Sequence, residues 1–542
     1  MKLSRKMAFV GAAAVAVAAV GAAVGTAGQN DFSSVAGPVG KVTGVSVPNV
    51  LPAELSEVLL ARGDYRLDGG TAAVPYYGFD GDVANLVPAA NAQAATGTKI
   101  EASKSEPDKN AYLILTATQF GADAAYDYGH RFLFQGHELG SPGYITRINL
   151  DADQKHRVTL MATADVTGKA LPSIDGITWD PFAQKLLLTG EFGGGGASGG
   201  VYAATATYPS TVVDVSGALG KGGYESAQND SAGNVYLVED TGGSTGSTYP
   251  SSRQPNSFVF RYVPKVAGDL ANGKLQALQV LDQAGAPITF HADNKDLDIK
   301  NDAVKAMYTY GVSLKTKWVT VHDTATDGNA VFNANAAAKA KGATPLKRPE
   351  NGVFRPDNKF DQFVFTVTGD TNANTAVGAD YGGFGGLFTL TQSPTSDDGS
   401  LTLLYKSDIG HTGFDNIQFL TKDRVIAVED AGDTLHTQRG FFDAGYVFNV
   451  NDDYAKPTTN LPVRMIAQGR DPLATIDSLW SGQPGFQNDG DNEITGIHVS
   501  DGDNSRAGIL GAKDPQPWDG KWRVFYTQQH GLNQTFELLK SK

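Results

Sequence analysis

The chain has 542 residues, with 58 Asp or Glu against 44 Lys or Arg, a net charge of −14 and no cysteine. Disulfides, thiolate metal sites and cysteine nucleophiles are excluded, and the acidic balance argues against nucleic-acid binding, which needs basic surface to displace counterions. A 41% hydrophobic content is ordinary for a globular chain, and 64 Gly with 24 Pro favour many short strands over long helices.

Residues 1–27 read as an export signal. Lys2, Arg5 and Lys6 precede an uncharged Ala/Val/Gly run over 7–24, and Gly25-Thr-Ala27 supplies the small residues a signal peptidase needs. A membrane anchor is the alternative, since the run is long enough to span. Arg5-Lys6 is not a twin-arginine pair, which predicts export of an unfolded chain. No later segment is a transmembrane candidate, so the expected location is periplasmic, extracellular or at the cell surface. Residues 28–98 read as an irregular Gly/Pro/Val-rich segment and 99–542 as one β domain. Helical periodicity is confined to 55–62 and 334–341.

The rest is a texture of short β-rich runs bounded by Gly, Asp, Asn or Pro: 112–117, 130–134, 185–189, 234–238, 362–367, 424–428 and 521–526. The expected fold is all-β. Six of these runs end in a similar way, at Gly136-His-Glu138, Gly190-Glu191, Glu239-Asp240, Gly369-Asp370, Glu429-Asp430 and Gln529-His530. Marker residues from each are 53, 48, 131, 59 and 101 residues apart. Three intervals suit a propeller blade of about 40–50 residues plus loops, and the others suit insertions or skipped strands. In a propeller the innermost strands line a channel, so carboxylates at their ends converge at its mouth. The competing explanation is that acids favour the turns after strands.

Several segments carry a resemblance. They are Arg348-Pro-Glu-Asn-Gly352 with Thr368-Gly-Asp370, Asn492-Glu-Ile-Thr-Gly496 with Gln529-His-Gly531, Gly136-His-Glu138, Leu188-Thr-Gly-Glu191, Tyr224-Glu225 ahead of Glu239-Asp240, and Phe414-Asp-Asn416 ahead of Val428-Glu-Asp430. In this order they resemble the PhoX family of secreted, calcium-dependent alkaline phosphatases over roughly 130–531. The resemblance implies a six-bladed β-propeller whose channel mouth holds calcium and iron and hydrolyses phosphate monoesters. It implies Glu138, Glu191, Glu225, Glu239, Glu350, Asp415 and Glu493 as metal ligands, and Arg348 and His530 as catalytic residues. The residue chemistry agrees: Ca²⁺ takes six to eight hard oxygen ligands, and an Arg fork suits a phosphate. Without the resemblance, Arg348 reads as a salt-bridge partner of Glu350 and His530 as a structural histidine.

The chain also departs from the family pattern. Members with iron commonly carry Cys and Asn just ahead of the Glu that Glu138 matches, where Phe134 and Gly136 stand, and a Thr-Cys-Glu-Glu-like segment is here Thr189-Gly-Glu191-Phe192. A cysteine-ligated iron cannot form. Two function classes follow: a secreted phosphohydrolase using calcium or another oxygen-ligated metal with Arg348, or a non-catalytic calcium-binding propeller with a structural or adhesive role at the cell surface. Retained Arg-Pro-Glu and both closing motifs favour the enzyme.

Other motifs are weaker. Gly242-Gly-Ser-Thr-Gly246 fits a nucleophile elbow but lacks a following helix pattern, and 194–199 fits a dinucleotide loop but leads into a strand-like run. Arg62-Gly-Asp64 could be adhesive. Asn488-Asp-Gly-Asp-Asn492 and Asp501-Gly-Asp-Asn504 could bind calcium, without EF-hand spacing.

Overall fold

Short runs of β-branched and aromatic residues closed by turn formers become antiparallel strands throughout. The computed structural model describes residues 32–42, 45, 47–78, 105–138, 142–191, 199–470 and 493–541. The export segment, most of the 194–199 pattern and the stretch 488–492 lie outside the described residues. From Phe32 onward the chain is one compact unit. No described helix is long and apolar enough to cross a membrane.

The first strand, β1 (Leu55–Ala61), belongs to the last sheet. Next come β2 (Pro107–Ile114), β3 (Arg131–His137), β4 (Tyr144–Asn149) and β5 (Val158–Ala162), paired in that order, then β6 (Ile174–Asp180), β7 (Lys185–Gly190), β8 (Gly200–Ala204) and β9 (Val212–Asp214) likewise. A nine-stranded sheet follows. It contains β10 (Tyr224–Asn229), β11 (Val235–Glu239), β12 (Val259–Pro264), β13 (Gly273–Val280), β14 (Ser313–Asp323), β15 (Pro349–Phe354), β16 (Gln362–Val367), β17 (Gly386–Gln392) and β18 (Asp398–Lys406), in the order β10-β11-β12-β13-β14-β18-β17-β16-β15. The fourth sheet runs through β19 (Phe414–Thr421), β20 (Arg424–Glu429), β21 (Ala444–Asn449) and β22 (Val463–Ala467). The fifth joins β23 (Glu493–Ser500), β24 (Arg523–Gln529) and β25 (Gln534–Lys540) to β1, in the order β1-β25-β24-β23.

The arrangement is propeller-like: four four-stranded sheets and a nine-stranded sheet whose first and last strands, β10 and β15, touch. Contacts run β2 to β6, β6 to β10, β10 to β15, β15 to β19, β19 to β23 and β23 back to β2, a closed ring around an axis. Between neighbouring sheets the core is apolar. Phe134 and Ile145 pack with Ile177 and Leu188, and Ile426 and Val428 with Ile494 and Val524.

The runs expected to line the channel become β3, β7, β11, β16, β20 and β24, the second strand of each set; the strands in the ring are the ones before them. The long interval after Glu239 is an insertion containing β14 and the helix Ala334–Ala340, which forms where helical periodicity predicts it.

Residues 55–62, the other helix candidate, are instead β1, and the 28–98 segment is to that extent regular. Leu55, Val58 and Leu59 have helical spacing, but pairing with β25 sends Leu55 and Leu59 to one core cluster and Leu60, at a register irregularity, to another, leaving Val58 exposed. Tertiary pairing outweighs a weak local preference. Because β1 closes the last sheet from the opposite end of the chain, Leu60→Ala is expected to destabilise the protein by about 2–5 kcal/mol, read from its urea midpoint.

Candidate active site

The register places two sets of side chains at one end of the ring. The first residue of each ring strand pairs with the last residue of its neighbour: Pro107 with His137, Ile174 with Gly190, Tyr224 with Glu239, Pro349 with Val367, Phe414 with Glu429 and Glu493 with Gln529. The second residues of the ring strands are Asp108, Asp175, Glu225, Glu350, Asp415 and Ile494. The residues following their neighbours are Glu138, Glu191, Asp240, Thr368, Asp430 and His530. The ring strands β2, β6, β10, β15 and β19 shift register directly after their first residue and β23 after its third, and such bulges re-aim side chains that a flat strand would send to opposite faces.

Ligand oxygens of Asp108, Glu138 and Asp175 all lie within 4.8 Å of one another, as do those of Glu191, Glu225 and Asp240. Gln529 Nε2 donates to Glu138 at 2.7 Å. Arg348 Nε donates to Asp240 at 2.8 Å, and its guanidinium lies 3.5 Å from Glu350, which accepts from Thr368 Oγ1 at 2.7 Å. His530 sits between Glu106 and Glu493, 3.1 Å from each. Asn351 Nδ2 donates to Asp415 at 3.2 Å, while Asn416 Nδ2 reaches Asp415 at 2.6 Å and Asp108 at 3.2 Å. The buried Lys109 ammonium donates to Asn351 Oδ1.

The electrostatics follow from packing many acids together out of water. Burial, then repulsion by Asp175 and Glu191, holds Glu138 well above the carboxylate range. Burial with Asp108 does the same to Asp175, and burial with Asp175 to Glu225. Glu350, Asp415 and Glu493 are also raised by burial, then by Asp240, Asp108 and Asp430 respectively. Burial pushes Glu191 up to about 8 and Asp108 up to about 7. Burial opposes the charges on Arg348 and His530, but their carboxylate neighbours outweigh it and hold both above their ordinary values.

Arg348 and His530 share a backbone feature: φ is 60° at Arg348 and 63° at His530. Left-handed non-glycine residues are uncommon, cost energy and cluster at functional sites. The preceding Lys347 is buried in an ion pair with Asp370 at 2.9 Å, which anchors the turn presenting Arg348. Asp370 therefore serves this turn.

Glu138, Glu191, Glu225, Glu350, Asp415, Glu493, Arg348 and His530 are thus brought to one end of the ring. Glu239 lies at the same end but turns away from them: its Oε2 accepts from Asn335 Nδ2 at 2.9 Å and Phe258 N at 3.2 Å while its Oε1 is buried without a partner, because strand alternation turns it toward the inserted helix and leaves Asp240 facing the acids. Sequence reasoning missed Asp108, Lys109 and Asp175. Their signal was an acid directly after the first apolar residue of a ring strand, as in Pro107-Asp108, Ile174-Asp175 and Tyr224-Glu225. At Gly136 glycine has a steric reason: a Cβ there would lie 2.4 Å from Ile174 Cγ2.

The minor motifs resolve. Residues 242–246 form a loop with no helix following. Arg62 and Asp64 pair with each other at 2.7 Å. Asp501 and Asp503 are bridged by Lys513 at 2.7 and 2.6 Å, so a lysine takes the place calcium would need there.

Buried oxygens of Asp175, Glu191, Glu225 and Asp240 have no hydrogen-bond partner. Buried carboxylates are normally paired with donors or cations. This all-oxygen donor set, without a thiolate, fits hard divalent cations.

The family model described as alkaline phosphatase PhoX matches residues 228–504. The chain belongs to the PhoX family. Among solved structures it is similar to Pseudomonas fluorescens PhoX in complex with vanadate, a transition-state analogue, at 12% identity and a TM-score of 0.52, covering 94% of this chain and 98% of that one; that likeness concerns the fold. The catalytic domain of Coprinopsis cinerea GH62 α-L-arabinofuranosidase matches at 7% identity and a TM-score of 0.31, over 89% of this chain and 98% of its own. The periplasmic gluconolactonase of Pseudomonas aeruginosa matches at 11% and 0.31, over 76% and 96%. Neither of these two bears on the argument. No protein of curated function matches the chain. The PhoX match begins at Gln228, so Asp108, Glu138, Asp175, Glu191 and Glu225 precede it and join the site through the ring.

Proposed function

We propose that this PhoX-family chain is an exported phosphohydrolase acting on phosphate monoesters, with calcium or a similar oxygen-seeking divalent cation at the mouth of the ring. We read the nine-stranded sheet as two four-stranded blades, β10–β13 and β15–β18, bridged by β14, giving six blades. Export rests on the signal read in 1–27.

One observation carries the functional reading: an arginine in left-handed backbone binds one oxygen of Asp240, while the other oxygen of Asp240 and one each of Asp175, Glu191 and Glu225 are buried without a donor. Asp108, Glu138 and Asp175 would hold one cation, and Glu191, Glu225 and Asp240 another. Cations bound there would neutralise the acids and would supply polarisation of a phosphoryl oxygen and a lowered pKa of water. Arg348 offers two parallel N–H groups to the phosphate, a fork that lysine cannot supply. Both ring nitrogens of His530 face carboxylates, so it serves as a fixed positive charge tying Glu106 to Glu493 rather than as a mobile proton donor.

The test is hydrolysis of an aryl phosphate by the purified mature protein, with and without calcium, alongside elemental analysis. Calcium-dependent turnover is expected; bound calcium with no turnover would reassign the chain as a non-catalytic surface propeller. Asp240→Asn should weaken metal binding at least about tenfold, whereas Glu239→Gln should leave it unchanged, as titration calorimetry would read.

A further inference from the structure

The closed order of ring strands puts β15 three places from β2 in either direction, so the two face each other across the axis. Lys109 is on β2 and Asn351 is on β15, and the Lys109 ammonium reaches Asn351 Oδ1. The lysine side chain therefore crosses the channel. Around its tip the contacts form a chain: Asn351 donates to Asp415, Asn416 donates to both Asp415 and Asp108, and Asp108 adjoins Lys109 in sequence. Asp415 is thereby committed to amide donors and lies outside both carboxylate triads. Lys109 is buried, which pushes its ammonium down to about 8 against the opposing pull of Asp108, Asp175, Asp415 and Glu225.

We propose that Lys109 is a tethered cation that closes the floor of the site and occupies a position a divalent ion would otherwise take, so that it fixes how many metal ions the carboxylates hold. A covalently attached charge in the middle of the acids satisfies part of their demand for cations and repels a further ion from the same space. Its role is positional: it sets the stoichiometry and depth of the metal cluster, while Arg348 meets the substrate. The inference rests on the metal-binding reading above.

The experiment counts ions. The full-length mature protein and its variants are equilibrated with calcium alone, and bound calcium per chain is measured by equilibrium dialysis and elemental analysis. Lys109→Met should bind one calcium more than the wild-type protein, and Lys109→Arg, which keeps the charge, the wild-type number. The charge-compensated pair Lys109→Met with Asp415→Asn should return to the wild-type number, and Lys109→Gln, expected to bind one calcium more as the Met variant does, decides the matter if the Met variant does not fold. An unchanged count in Lys109→Met, or any count other than wild-type in the compensated pair, overturns the proposal. A wild-type protein that binds no calcium or other divalent ion overturns the metal reading itself, and this inference with it.

Discussion

Arg348→Ala is expected to lower kcat for an aryl phosphate by at least about 10²–10³-fold, the usual consequence of removing one donor aimed at developing charge, with the bound-metal content unchanged. The residue reaches the carboxylates from the rim, 2.8 Å from Asp240 and 3.5 Å from Glu350. In the absence of phosphate it is an ion-pair partner of both, which is the reading the sequence alone gave it; the phosphate would be a third partner for the same fork. Arg348→Lys should recover only a small part of the rate, because a point charge cannot form two parallel bonds. Arg348→Gly separates chemistry from strain, since glycine accepts φ near 60° at no steric cost: it should lose as much activity as alanine while being the more stable. Near wild-type turnover in Arg348→Ala would remove the assignment.

Chelation should produce the largest change in stability. Each ion held at a hundred times its Kd contributes about 2.7 kcal/mol to the folded state, and removing the ions leaves the buried carboxyls to repel one another. The sign of the pH dependence then reverses between the two forms. In metal-free protein Glu191 is pushed to about 8 and Asp108 to about 7, above their unfolded values of about 4. Stability from these groups is fully present below about pH 4 and is lost as pH rises toward 8, because the fold must then hold charges it disfavours. Metal-loaded protein behaves in the opposite way. Cations displace those protons, so affinity should rise from about pH 6 to 8 and level off above. Thermal melts at several pH values, with and without a chelator, check both slopes; parallel slopes would mean that the carboxyl cluster is not the metal site.

The all-β class and most strand positions were legible because Gly, Asp and Asn punctuate them, and 362–367 coincides with β16. What the sequence concealed was rank within each sheet. The run that looks most strand-like is usually the second strand, whereas ring strands such as Tyr224–Asn229 and Pro349–Phe354 carry polar residues and a register shift near the start, so they do not stand out as β-rich runs, and β2 does so only from Tyr112 onward. This hid Asp108 and Asp175, whose partners are distant in the chain. The same blind spot misassigned Glu239: adjacent acids at a strand end face opposite ways, and only the register tells which of Glu239 and Asp240 turns inward. The β1 helix candidate failed for a related reason, since its partner β25 lies at the other end of the chain.

The ring imposes an order on assembly. The side chains at its mouth run from Glu106 to His530, and the sheet carrying Glu493 and His530 is finished by β1 from near the start of the chain. The two carboxylate triads come from the sheets of β2–β5, β6–β9 and β10 onward, whereas Asp415, Asp430, Glu493 and His530 come from the last two, so the full site is complete only when the last sheet has docked, the slowest kind of contact to form because its partners are farthest apart along the chain. Ions held by the two triads would latch those three sheets to one another: separating either neighbouring pair would surrender an ion, which would protect that arc of the ring from local unfolding and proteolysis.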